Sequence, residues 1–155
     1  MCKLCWGLLL VLLMFVAAGA YQFIIQGKVA PSRDARTAIV LSDGERDLVL
    51  TEMRDFLLSL QQITRAAVVD DMEAVAAAAK RVGRAAQDGV PLSLISKLPV
   101  GFKQLGFETH GKFDRLALDA EQLGDRDHIL EQTAVLMDNC IGCHAAFKLV
   151  AEQSN

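Results

Sequence analysis

From Leu4 to Ile25 the chain reads LCWGLLLVLLMFVAAGAYQFII, 22 residues with no charge and one strongly polar side chain, Gln22. About 20 apolar residues carry a helix across a bilayer core, where a helix satisfies every backbone group from within. The run therefore predicts an N-terminal transmembrane helix, with residues 1–26 forming a membrane anchor or signal segment. Ala18-Gly19-Ala20 fits a signal-peptidase site, and cleavage near Ala20 would release a soluble product. The run nevertheless continues through Phe23, Ile24 and Ile25, which a cleaved signal does not need, so an uncleaved anchor over residues 4–25 is the expectation. Its flanking charges, Lys3 against Lys28, Arg33 and Arg36, do not fix its orientation. Cys2 and Cys5 precede the run, where a lipoprotein cysteine would follow one, and read as free thiols on a short stub.

All 19 acidic residues and all but one of the 16 basic ones lie beyond this run, so the remainder is net negative and unsuited to nucleic acid. No phosphate-binding glycine loop, Ser/His/Asp signature or HExxH zinc helix is present. A chain of 155 residues without repeats or low-complexity linkers holds one domain. Residues 27–42 read as a tether and residues 43–155 as the domain.

Within the domain the apolar residues recur at helical spacing. Ser42-Asp43-Gly44-Glu45 has the form of a capping box, and Val49, Met53, Phe56, Leu60 and Ile63 make a stripe on a helix over about 44–66. Asp70 or Asp71 opens a second helix, which Gly89 and Pro91 close. After the connection PLSLISKLP, a third stripe runs from Phe102 through Phe113 to Leu123, ended by Gly124. Asp125 or Asp127 starts the fourth, with Leu130, Ala134, Met137, Cys140, His144 and Phe147 at steps of three and four. Helices of roughly twenty residues joined mostly by short connections predict an all-α fold, an antiparallel four-helix bundle.

The fourth helix carries the one chemical motif. Cys140-Ile141-Gly142-Cys143-His144 is C-x-x-C-H, the pattern of covalent c-type haem attachment. Two thiols three residues apart reach the two vinyl groups of one porphyrin edge, and the adjacent histidine becomes the axial iron ligand. A zinc site needs more ligands, a thioredoxin-like CxxC belongs beside a βαβ unit, and a structural disulfide gives the histidine no task. One haem c is expected, on a C-terminal haem-binding helix. In proteins of this class haem c is attached on the outer face of the bacterial inner membrane, so residues 27–155 are expected in the periplasm.

A helical domain whose C-x-x-C-H lies on its last helix and continues x-x-Phe-Lys, here CIGCHAAFK, resembles the cytochrome c prime family over about residues 43–150. The resemblance implies thioether bonds at Cys140 and Cys143, His144 as proximal ligand and Lys148 as a basic residue near the proximal face. Phe147, three residues after His144, is expected to touch the haem on the same helix face. The N-terminal anchor departs from the family pattern. Relatives of this kind commonly dimerise through their first two helices, and Ala66, Ala67, Ala76 and Ala79 would permit such a homodimer.

The sixth iron position separates the functions the resemblance allows: a methionine from the first helix gives a low-spin electron carrier, and a bulky apolar residue leaves iron open to nitric oxide or carbon monoxide. Met53, central to the first stripe, is the expected distal ligand, with His110 of helix three as rival. His128 reads as a solvated helix-start residue and Met137, on the His144 helix itself, as core. The expected function is electron transfer with redox partner proteins of the respiratory chain, as a shuttle or as a fixed subunit of a membrane complex. Gas binding is the alternative. An enzyme would need distal acid–base residues, for which His110 is the one histidine available, so catalysis ranks a distant third.

Overall fold

The computed structural model describes residues 3–152; Cys2, read above as a free thiol, lies outside them. A helix α1 (Lys3–Ala20) continues as a π-helical stretch, Tyr21–Gln26. From Cys5 to Gln26 this rod has a mean hydropathy of 2.5 and buries none of its length, so it is one helix long and apolar enough to cross a membrane or to serve as a signal. It stops at Gly27, whose φ of +66° lies in the left-handed region and whose added Cβ would stand 2.4 Å from the Lys97 carbonyl oxygen. No other residue satisfies both the turn and that approach.

The expected tether contains structure instead. Strand β1 (Val29–Ala30) pairs antiparallel with β2 (Thr37–Leu41), which pairs in parallel with β3 (Phe147–Ala151) at the other end of the chain. Thr37 is opposite Phe147 and Leu41 opposite Ala151. The sheet exists because TAIVL buries Ala38, Ile39 and Leu41 almost completely, packing Ile39 and Leu41 with Val49, Leu94 and Leu98 in a core beside the rod's end. Residues 37–41 are thus part of the folded unit.

Helix α2 (Asp43–Val68) starts as its sequence dictates: Ser42 N–H donates to Glu45 Oε2 at 2.9 Å, and Ser42 Oγ accepts from Glu45 N–H at 3.4 Å. The Lys97 ammonium, 2.6 Å from Glu45 Oε2, helps hold that carboxyl down to about 2. A left-handed Asp70, φ +62°, turns the chain, and Asp71 caps α3 (Met72–Lys80), accepting from Ala74 N–H at 3.0 Å.

The second helix was expected to run to about residue 86, and α3 ends after nine residues. The carbonyls of Val82 and Gly83, which a continuing helix would use, instead receive Nδ1 of His110 at 2.8 and 3.2 Å. Gly83 lies so close to Asp114 that a Cβ there would collide with its carboxylate. A 3-10 turn (Arg84–Gln87) and a short helix α4 (Leu92–Lys97) fill the connection to α5 (Val100–Gln122). Helix α6 (Arg126–Ala146), capped by Asp125, completes the helices.

Helices α2, α3, α5 and α6 pack in a ring, each against two neighbours, around a core that includes Ile63, Val75, Phe113, Leu116 and Leu136. The chain is therefore mostly helical with a small mixed sheet, and its second helix falls far short of the expected twenty residues. Ala67, Ala76 and Ala79, expected at a dimer surface, are buried in this core along with most of Ala66, where their small size lets α2 and α3 approach.

Candidate cofactor site

Asn139 fixes the rotation of α6 just before the motif. It is buried, its Oδ1 receives Lys112 Nζ at 2.8 Å and its Nδ2 donates to Thr109 Oγ1 at 3.3 Å, both on α5. Lys112 also caps the Val135 carbonyl at 2.9 Å. With Asn139 pinned to α5, a turn of ~100° per residue carries Met137, Ile141 and His144 round to the flank facing α2. Cys140 lies between, half-buried against the helical core, and Cys143 is half-buried beside it. Burial pushes both thiols up, so both remain protonated at neutral pH, and they are not bonded to each other. The His144 ring is exposed and has no hydrogen-bond partner among the described residues; its backbone carbonyl lies 3.4 Å from Arg36 Nη1.

The opposing wall belongs to α2. On the same helical reckoning, Met53, Leu57 and Leu60 lie on one flank, whereas Glu52, Asp55 and Leu48 lie on the other. Leu60 on the first flank packs against the same helical core that Cys140 borders. The α2–α6 side of the ring is the loosest of its four contacts, and its apolar residues are uncovered: Leu57 is 68% exposed, Ile141 66% and Met137 42%. A run of bare apolar side chains beside two thiols and a histidine is a surface that a flat apolar group would cover. Met53 itself is half-buried at the end of this seam, packed against the sheet-side core, so it flanks the buried stripe and does not centre it.

The structure moves the two residues after the helix. Phe147 was expected on the same helical face as His144, but α6 stops at Ala146 and Phe147 opens β3 with extended angles, φ −127° and ψ 155°. Its ring meets Phe102 edge-to-face at 5.5 Å, in the core that also holds Met53. Lys148, on the same strand, extends its ammonium to within 3.4 Å of Asp34. Arg36 and Ser32 also bond Asp34 and hold its carboxyl well below the usual range. Asn139, Lys112 and Arg36 were not singled out from sequence; only their partners in space give them a task.

The other histidines point elsewhere. Both His110 ring nitrogens are engaged, Nδ1 by Val82 and Nε2 by Glu52 at 3.1 Å, on the opposite flank of α2 from the seam. His128 Nε2 lies 3.3 Å from Asp119 Oδ2. Among the described residues no three His, Cys, Asp or Glu side chains converge. Comparison with protein-family models finds no match, and neither curated proteins nor solved structures provide one.

The residues fit a covalently held haem. The thiols and imidazole come from one helical segment, the seam beside them is apolar and open, and a thioether stands on the facing helix.

Proposed function

We propose that this chain is a membrane-anchored c-type cytochrome of the cytochrome c prime kind, carrying electrons through one haem held by Cys140 and Cys143. The observation that carries the reading is C-x-x-C-H on a helix flank whose apolar neighbours are left bare. A bound haem supplies a reversible one-electron couple. His144 would hold the iron of such a haem, and Met53, from α2, would supply a second ligand. Leu57, Leu60 and Ile141 would cover its apolar face against water, which would tune the potential. Helices α2, α3, α5 and α6 are a four-helix bundle with a shortened second member. The rod at residues 4–25 anchors the domain in the bacterial inner membrane, with residues 27–155 in the periplasm beside respiratory partners.

The test is covalent retention. Protein produced in a bacterium that matures haem c should keep its colour through acid–organic extraction, and Cys140→Ala or Cys143→Ala should lose it or fail to mature. Complete extraction of haem from the wild type would end the proposal.

A further inference from the structure

Across α2 from the Cys140 seam lies a cleft of ≈ 550 Å3, bordered by α2, residues 81–91, α4 and the first half of α5. That is the size of a small-molecule site. Phe56, Phe102, Phe107 and Leu94 line it, with Phe107 53% exposed at the rim, and Glu52 and His110 contribute its polar atoms. His110 is almost fully buried and committed to its protein partners. Glu52 is not: His110 engages Oε1, and Oε2 has no hydrogen-bond donor among the described residues.

Charge selects the kind of head group. Asp47, Asp55 and Asp88 also border the cleft, whereas its cations are engaged, Arg81 with Gln62 and Lys103 with the carbonyls of Phe23 and Ile24. This surplus of carboxylates disfavours a phosphate or carboxylate head and favours neutral hydroxyl donors. Aromatic walls suit a flat ring.

Position selects the source. Lys103, Leu98 and Phe102 border the cleft, and the same stretch seats the apolar rod: Lys103 Nζ donates to Ile24 O at 2.9 Å, and Lys28 N–H donates to Lys97 O at 2.7 Å. The cleft therefore opens where the rod would leave a bilayer, within reach of a ligand dissolved in lipid.

The geometry points to a binding site for a membrane-soluble hydroquinone, its hydroxyl donating to Glu52 and its ring lying among Phe56, Phe102 and Phe107. Occupancy of the cleft does not depend on the cytochrome reading. Only the thickness of α2 separates cleft from seam, where Glu52 and Met53 are consecutive.

The full chain in lipid nanodiscs is titrated calorimetrically with a decyl-tailed p-hydroquinone and with its bis-methyl ether, which keeps shape and tail but cannot donate. The hydroquinone should saturate one site, and the ether should bind roughly tenfold more weakly or worse. Glu52→Ala should bring a similar loss. Because Glu52 also holds His110, Gly106→Leu is the companion variant: Gly106 lines the cleft, a Cβ there meets nothing within 4 Å, and leucine favours the helix while filling the space. Equal binding of the ether, unchanged binding by Gly106→Leu, or no heat beyond that of empty discs would overturn the site. The heat signal is independent of haem, so hydroquinone binding by a chain that carries no haem upholds the site and refutes only the cytochrome reading.

Discussion

His110 offers the sharpest test of how the ring of helices is held. It sits on α5 at 1% exposure, with a carboxylate at one ring nitrogen and backbone carbonyls at the other, and Phe56 stands edge-on at 4.9 Å. Both nitrogens face acceptors, so the imidazolium satisfies every partner whereas either neutral tautomer leaves one acceptor without a proton. Burial pulls its pKa down, but the Glu52 bond, the Val82 and Gly83 carbonyls and the Glu52 charge together raise it above the ordinary value. Its contribution to stability is thus fully present below the unfolded pKa of about 6.5, and is lost as pH rises through the higher folded value. Replacing His110 with Phe retains the packing but removes a charged hydrogen bond worth about 1.5–3 kcal/mol and strands a buried carbonyl at about 1–3 kcal/mol. Because neighbours relax, a net loss of about 2–4 kcal/mol near pH 6 is expected. Denaturant unfolding of the full chain in detergent, followed by far-UV circular dichroism from about pH 5 to about pH 9, measures it. The gap between wild type and variant should narrow on the alkaline side. A gap that is constant or widens with pH would refute the assignment of a charged, doubly donating His110.

Met53→Ala should convert a low-spin haem spectrum into a high-spin one that binds carbon monoxide readily; an unchanged low-spin spectrum would remove Met53 from the iron. Ser42→Ala removes the hydroxyl arm of the capping box, leaving the residue 42 N–H bonded to Glu45, and should cost about 1 kcal/mol in the same unfolding assay. Membranes from cells expressing the full chain should retain it through high-salt washing, because burial of an apolar helix does not depend on ionic strength, whereas a mature N-terminus at Tyr21 in a soluble fraction would mean the segment is cleaved.

Local signals account for what was readable. Ser42 and Glu45 lie three residues apart, so the start of α2 is written within a single turn, and the same is true of the Asp125 cap and of the five-residue motif on α6. The misreadings share one cause, partners distant in sequence. TAIVL and FKLVA are short apolar runs that continue a tether or a helix equally well alone, and become strands because they meet each other. The alanine-rich start of α3 favours a helix, yet it ends where His110, nearly thirty residues on, takes its carbonyls. Met53 shows the limit of wheel arithmetic: the spacing put it on the buried side, and only the sheet packed against α2 makes it a flank residue.

The parallel pairing of β2 with β3 also sets an order of events. The rod and β2 leave the ribosome before β3, the strand that completes the sheet, at roughly 5–20 residues per second. Closing that loop spans nearly the whole domain and is slow compared with helix formation. Throughout that interval Cys140, Cys143 and His144 belong to a helix whose following segment is still unpaired. A chain cut before Phe147 would leave Thr37–Leu41 without its parallel partner and Phe102 without the ring that meets it edge-to-face.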